Sequence, residues 1–198
     1  MGFRSMFARS LAALAAVSLA ACITPRGEPA KPAAAPAPTT DFSQSTVADE
    51  VADWLGVSAE TAGSIVERVF SDLGEPVGYI RGEEASGAIG PGLRYGRGTM
   101  MLPGQNVGVY WQGPSVGWDL GANASKTFTL VYDLPRAEDI YRRFPGVEGT
   151  AYLVGGVGVN YQRAEGITLV PMRAGVGARL GANIGYLAYS REQRILPF

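Results

Sequence analysis

Short apolar stretches such as Val107-Gly108-Val109-Tyr110-Trp111 and Thr127-Phe128-Thr129-Leu130-Val131-Tyr132 decide the fold of this chain. They alternate with glycines, and 23 of the 27 glycines lie in the 112 residues from Gly74 to Gly185. Many short strands separated by glycine indicate antiparallel β structure, because glycines allow the bulges and corners at which a sheet bends. The pattern predicts a mainly β domain over residues 74–198, as either an antiparallel sandwich or a small barrel.

Helices are predicted to precede this domain, over residues 46–73. Gly56 ends the first, and Ser58 is placed to cap a second in which apolar residues recur with a period of 3.6 as far as Gly74. The opposite face of the second helix carries acids and serines rather than a row of basic residues, so we expect it to pack on the β domain and not on a membrane. A short inserted helix is predicted between residues 135 and 146.

The N-terminus resembles a bacterial lipoprotein signal. Two arginines precede an apolar run at residues 11–21 that is too short to span a bilayer of about 30 Å hydrocarbon. Leu19-Ala20-Ala21 then leads directly into Cys22, the only cysteine. We predict a signal peptide over residues 1–21 and lipidation of Cys22, with acyl chains such as palmitate. The alternative is an ordinary signal peptide with Cys22 incidental.

Residues 22–45 are predicted to be the lipidated cysteine and a Pro/Ala-rich tether, semi-extended where it adopts polyproline geometry. At roughly 0.8 kcal/mol per buried CH₂, two or three acyl chains hold a protein at a membrane essentially permanently. Ile23, rather than an aspartate, follows Cys22. By resemblance to proteobacterial lipoproteins, this favours the periplasmic face of the outer membrane.

The composition excludes several classes of function. The chain has no histidine, which removes histidine-dependent catalysis and histidine metal ligands. One cysteine cannot form an internal disulfide or a cysteine-rich metal site. A formal net charge of −1 and the lack of clustered basic residues in the sequence argue against a nucleic-acid partner. We expect no metal site and no cofactor.

The candidates for a ligand or partner surface are one acid and three aromatic residues. Glu83 and Glu84 are adjacent, so they point to opposite faces of a strand and form no ready-made catalytic pair. Glu84 remains a candidate site acid, although a solvated strand end is the commoner interpretation. Tyr110, Trp111 and Trp118 could stack on sugars or acyl chains, and packing in the core is the alternative. No catalytic residue emerges, and we expect that the protein is not an enzyme.

An internal echo is also present. Residues 116–123 recur as residues 176–183 with six of eight positions identical, and residues 107–112 are echoed at 157–162. We interpret these as two related hairpin units, with chance similarity between glycine-rich strands as the alternative. Asp119 in the first copy corresponds to Arg179 in the second, and we predict that they form a salt bridge.

Several motifs resemble those of the envelope integrity protein A family of proteobacteria. They are Gly78-Tyr79-Ile80-Arg81-Gly82-Glu83-Glu84-Ala85-Ser86-Gly87, Gly92-Leu93-Arg94-Tyr95-Gly96, Val109-Tyr110-Trp111-Gln112-Gly113-Pro114-Ser115, Arg143-Phe144-Pro145-Gly146-Val147-Glu148-Gly149 and Gly175-Val176-Gly177-Ala178-Arg179-Leu180-Gly181-Ala182-Asn183. The resemblance covers about residues 70–198. It implies a small soluble antiparallel β-barrel in the periplasm, a role in keeping the envelope intact and a connection to surface polysaccharide, but no catalytic residues.

A weaker likeness is to the SYLF domains of lipid-binding proteins. It is carried by Arg94-Tyr95-Gly96-Arg97-Gly98 and Gly113-Pro114-Ser115-Val116-Gly117. Two functional hypotheses follow. The first is a non-enzymatic lipoprotein that supports envelope integrity by contacting a protein, glycan or lipid partner. The second is a carrier of lipid or glycolipid, which would need a hollow apolar interior of several hundred Å³ rather than one filled by side chains.

Overall fold

The computed structural model describes residues 41–174 and 185–194, with their side chains except at 86–92 and 115–124. The first helix, α1, spans Gln44–Leu55, and the second, α2, spans Ala59–Leu73. None of the helices in these ranges is long and apolar enough to cross a membrane. The predicted signal peptide, Cys22 and most of the predicted tether lie outside the described residues.

In the part of the chain that the structure describes, eight antiparallel strands follow the helices and belong to one sheet. The strands are β1 (Gly78–Leu102), β2 (Gln105–Tyr132), β3 (Arg143–Pro145), β4 (Tyr152–Val154), β5 (Val157–Val159), β6 (Gln162–Ala164), β7 (Ile167–Ala174) and β8 (Tyr186–Ser190). A single 3-10 turn at Ala137–Ile140 lies where the short inserted helix was predicted.

The long strands β1 and β2 form one hairpin, paired from Gly78↔Val131 to Leu102↔Gln105. This hairpin folds back on itself where the two halves of β1 meet at Gly82 and Gly98. A Cβ atom on Gly98 would lie 2.9 Å from the Cα atom of Gly82, so the two backbones can approach this closely only because both residues are glycine. The contact between the two halves curls the sheet.

The remaining strands extend the curled hairpin on both sides. β8 pairs with β2 near Trp111 and also with β3, while β7 pairs with the far end of β2 and with β5 and β6. An isolated bridge between Gly146 and Gln162 connects the end of β3 to β6. The result is a curled, barrel-like antiparallel sheet, and the predicted mainly β fold is confirmed.

Apolar clusters cover parts of both faces of this sheet. The outer face packs under α1 and α2 in one apolar cluster that includes Val51, Ile65 and Phe128, while the inner face holds a second cluster that includes Ile80 and Leu169. Polar contacts also bind the helices to the outer face. The Trp54 indole Nε1 donates a hydrogen bond to the Thr127 carbonyl at 2.9 Å, and Arg81 Nη1 lies 2.8 Å from Glu50 Oε2. α2 thus packs on the β domain through this apolar cluster.

The helix boundaries follow the predicted signals with one difference. The Ser58 hydroxyl accepts a hydrogen bond from the backbone N–H of Thr61, and α2 ends at Gly74, as the sequence predicts. However, α1 begins two residues earlier than expected, and Phe42 is buried with its ring 5.9 Å from that of Tyr79. The packed part of the chain therefore includes residues that were assigned to the tether.

The two echoed segments take different structures. Residues 107–112 lie within β2, whereas residues 157–162 run from β5 into the first residue of β6. These segments are not equivalent parts of one repeated hairpin. Residues 176–183 lie outside the described residues, and so does the predicted salt bridge between Asp119 and Arg179.

Candidate functional site

Glu84 lies on the inner face of the sheet, in the first half of β1. Strand alternation puts it on the same face as Ile80, whereas its neighbour Glu83 faces the other way and is exposed. Glu84 itself is only 4% exposed. The interpretation of Glu84 as a solvated strand end is therefore wrong, because β1 continues to Leu102 and the curled sheet covers the inner face.

Three side chains contact the Glu84 carboxylate, and a fourth contacts Arg173, which is its main partner. We call these five residues the Glu84 cluster: Glu84, Arg94, Trp111, Asn160 and Arg173. Arg173 Nε donates to Glu84 Oε1 at 3.0 Å, and Trp111 Nε1 donates to Glu84 Oε2 at 2.9 Å. Arg94 Nε lies 3.2 Å from Oε1. Arg173 Nη1 also donates to Asn160 Oδ1 at 3.1 Å, so Arg173 is oriented from two sides.

These contacts keep the buried carboxylate charged. Burial by itself would raise the pKa of Glu84, but the Arg173 and Arg94 charges and the hydrogen bonds from Arg173 and Trp111 outweigh it. The pKa of Glu84 therefore lies below its ordinary value of 4.5. The side chain is a carboxylate at neutral pH and has both oxygens engaged by donors.

Glycines in β1 make room for the Trp111 ring. A Cβ atom on either Gly82 or Gly96 would lie inside the van der Waals distance of this indole. Trp111 can therefore lie across β1 and reach Glu84 only because these positions have no side chain. Two of the glycines that predicted the sheet therefore also make the bond between Trp111 and Glu84 possible.

A cleft of about 300 Å³ opens beside this cluster, and we name it the tyrosine cleft. Its lining consists of Glu83, Glu84, Ala85, Tyr95, Gly96, Arg97, Tyr110 and Gln193. Tyr110 and Arg97 are directly opposite each other on β2 and β1. Two phenols, a guanidinium, carboxylates and an amide thus meet on one surface.

A second cleft, of about 480 Å³, lies across the pairing of β2 with β8, and we name it the arginine cleft. Its lining consists of Gln112, Tyr141, Arg142, Arg143, Ala188, Tyr189, Ser190, Arg191, Glu192 and Arg194. The segment after β8 contributes to both clefts, because Gln193 lines the first and its neighbours line the second.

The structure brings together three of the four residues that the sequence singled out for a ligand or partner surface. Glu84 and Tyr110 line the tyrosine cleft, and Trp111 bonds to Glu84. Trp111 is buried, so the core interpretation holds for its ring, whereas Tyr110 is half-buried. The Trp118 side chain lies outside the described residues.

Sequence reasoning missed Arg94, Asn160 and Arg173. A signal was present for Arg173, because it follows Ile167 and Leu169 at alternating positions in a strand that is otherwise apolar. An arginine on the inward-facing side of such a strand needs a buried partner. An acid that points to the same side of the sheet from another strand is the candidate.

Carboxylates elsewhere in the described ranges do not gather into a candidate metal site. Among residues 41–174 and 185–194, no group of three acidic or cysteine side chains could hold an ion. Glu84 is bonded to cationic and indole donors instead.

Comparisons with known proteins agree with this fold. The family model of envelope integrity protein A, EipA, matches residues 40–198. The crystal structure of a β-barrel-like protein from Brucella abortus, described as uncharacterised, is similar, with a TM-score of 0.73 and 43% sequence identity over 79% of this chain and 98% of that one. A search of curated proteins gave no match. The chain belongs to the envelope integrity protein A family, and its fold is that of a β-barrel-like protein.

Proposed function

We propose that the protein is a lipid-anchored component of the cell envelope, on the periplasmic face of the outer membrane, that supports envelope integrity by binding a partner without catalysis. The family supports the role in the envelope. The lipobox-like sequence that ends at Cys22 supports the anchor, and Ile23 after it supports the outer membrane.

The proposal that the protein is not a catalyst depends on the pKa and the hydrogen bonds of Glu84. A general acid or base must exchange a proton with a substrate, and its pKa is usually tuned towards the working pH. Glu84 has its pKa lowered instead, and Arg173 and Trp111 occupy its two oxygens. Its geometry is that of a structural ion pair that fixes the inner face of the sheet.

The tyrosine cleft is the proposed partner surface, and an envelope glycan is the partner that its chemistry suits. The flat faces of Tyr95 and Tyr110 can pack against sugar rings. Arg97, Glu83 and Gln193 offer charged and amide groups that hydrogen-bond to hydroxyls. A volume of about 300 Å³ is at the small end of ligand sites, which fits one unit of a longer chain.

The carrier hypothesis finds less support. A lipid carrier needs an empty apolar interior, but the described inward-facing residues pack against one another in an apolar cluster that includes Phe144 and Leu187. Beside them lies the charged Glu84 cluster, which an acyl chain would have to displace. These features favour a filled scaffold with its binding surface on the outside.

Co-sedimentation with purified peptidoglycan sacculi, and with lipopolysaccharide from the same bacterium, tests the glycan partner. We expect the wild-type protein to bind one of them and Tyr110→Ala to bind at least tenfold more weakly. Leu153→Ala is the matched control, because Leu153 is 55% exposed on β4 and does not line the tyrosine cleft. Absence of binding to both polymers, or equal binding by the two variants, would reject this partner.

The anchor has its own test. Cells grown with a palmitate analogue should label the wild-type protein and not Cys22→Ser, and only the wild-type protein should fractionate with the outer membrane. Labelling that persists in Cys22→Ser would contradict the lipoprotein assignment. A strain that lacks the gene should become sensitive to detergent, and Cys22→Ser should restore resistance less well than wild type.

A further inference from the structure

The arginine cleft has chemistry that the proposed function does not use. We propose that it binds a phosphate group carried by a small polar ligand, in which Gln112 and the surrounding arginines supply the hydrogen bonds. This site is separate from the tyrosine cleft, and it does not depend on the identity of the glycan partner.

Two distant parts of the chain bring the arginines together. Arg142 and Arg143 stand at the start of β3, whereas Arg191 and Arg194 follow β8. They meet because β3 and β8 are paired, with Arg143 opposite Ala188. Basic residues that are scattered in the sequence therefore converge on one cleft of about 480 Å³.

Nearby carboxylates orient some of these arginines. Arg142 contacts Glu165 with one terminal nitrogen and Asp139 with the other, and Arg191 lies 4.0 Å from Glu138. These three acids are not part of the lining, which contains four arginines and one glutamate. The Arg191–Glu138 pair is exposed and therefore weak, so Arg191 can still donate to an anion in the cleft, whereas Arg142 is partly buried and both of its terminal nitrogens contact carboxylates.

Aromatic rings hold two of the guanidinium groups in place. Arg191 lies over the Tyr141 ring, with 4.6 Å from its Cζ atom to the ring centroid, and Arg143 lies over Tyr186 at 4.7 Å. Stacking occupies the face of a guanidinium and not its in-plane N–H groups, so Arg191 can still donate to a ligand in the cleft. Arg194 makes no ion pair with the residues that the structure describes.

Gln112 is the observation that points to a ligand. It is 3% exposed, lies between Tyr95 and Ala188 in the sheet, and lines the arginine cleft. Among the described residues its side-chain amide bonds to no protein group, and its polar atoms are not fully enclosed, so they reach the open cleft. An amide at the cleft floor can both donate to and accept from a ligand that binds there.

The arrangement favours phosphate over carboxylate. A carboxylate has two oxygens and a single charge, which one or two guanidinium forks satisfy. A phosphate monoester offers three oxygens and a charge of about −1.5 to −2 at neutral pH, so it can bond to several arginines and an amide at once. The cleft volume lies within the usual range for small-ligand sites and leaves room for a polar group such as a sugar.

Isothermal titration calorimetry on the full-length mature protein in detergent tests the proposal with three phosphate sources. The probes are glucose 1-phosphate, inorganic phosphate and phosphatidylglycerol in mixed micelles with the same detergent, with glucose and phosphatidylcholine mixed micelles as uncharged or zwitterionic counterparts. We expect glucose 1-phosphate to bind at least tenfold more tightly than glucose. Tighter binding of inorganic phosphate or of phosphatidylglycerol would support the same site and identify free phosphate or a lipid headgroup as its source.

Two variants connect binding to the cleft. Arg194→Gln and Gln112→Leu should each weaken binding of the preferred probe about tenfold, and neither should lower the melting temperature, because neither removes a bond within the described protein. Arg163→Gln is the control, since Arg163 is an exposed arginine of β6 outside the lining. The proposal is overturned if no phosphate probe binds, if glucose binds as tightly as glucose 1-phosphate, or if both cleft variants bind like the control.

Discussion

Replacing Glu84 with alanine is expected to destabilise the folded domain severely. Arg173 would keep its charge where its side chain is 7% exposed, and it would lose the carboxylate that its Nε contacts at 3.0 Å. Removing one partner of a buried ion pair costs about 3–5 kcal/mol. Because 1 kcal/mol shifts the melting temperature of a domain of this size by roughly 2–4 °C, we expect a decrease of about 6–20 °C.

Thermal unfolding followed by circular dichroism measures this effect. Glu83→Ala changes the exposed neighbour and should alter the free energy of unfolding by less than about 0.5 kcal/mol. The double variant Glu84→Leu/Arg173→Met removes the acid and its main partner and fills their space with apolar atoms, but Arg94, which is 14% exposed, still loses its contact with Glu84, so the variant should recover part of the stability that Glu84→Ala loses. The reasoning is refuted if Glu84→Ala and Glu83→Ala melt at the same temperature, or if the double variant is less stable than the single one.

Three further predictions concern stability. Gly96→Ala would push a methyl group into the Trp111 ring and should lower the free energy of unfolding, measured in urea, by about 1–3 kcal/mol. Gly108→Ala has open space around its Cβ atom and should be nearly neutral. Equal losses of stability in the two variants would show that Gly96 is not needed to make room for Trp111. Ser58→Ala removes the cap of α2 and should cost about 1 kcal/mol, which Ser58→Asp should restore. The pKa of Glu84 is lower in the folded chain than its ordinary value of 4.5, so its stabilisation is complete above that value and is lost as the pH falls through the folded pKa. In Glu84→Gln the free energy of unfolding should fall less steeply as the pH is lowered. The same pH dependence in the variant and the wild type would argue against a charged Glu84.

Local signals were sufficient for α2 and for the fold class. The Ser58 cap, the apolar period of α2 and the stop at Gly74 each depend on residues within one or two turns, so they can be recognised from the sequence. Glycine density likewise indicated an antiparallel sheet, and Gly82 and Gly98 show why, since their backbones meet where the sheet curls.

The Glu84 cluster depends on contacts that no local pattern reveals. Alternation places Glu84 and Glu83 on opposite faces, but it does not say which face is inside. In most sheets of this kind apolar residues mark the buried face and polar residues mark the exposed one. Here that contrast is weak, because helices cover one face and the curled sheet encloses the other. In β7, for example, seven consecutive residues from Ile167 to Arg173 are all buried. The partner of Glu84 is 89 residues away in the sequence, and only the pairing of β2 with both β1 and β7 brings Arg173 to it.

Arg173 and Arg194 differ in burial, and this difference decides how their variants must be interpreted. Arg173 is buried and bonded to Glu84 and Asn160, so its loss should unfold the domain, and any envelope defect would then reflect missing protein. Arg194 is exposed and makes no ion pair with the described residues, so its loss should leave the protein level unchanged. An envelope defect in Arg194→Gln at normal protein abundance would therefore report on binding in the arginine cleft, whereas the same defect in Arg173→Ala would not.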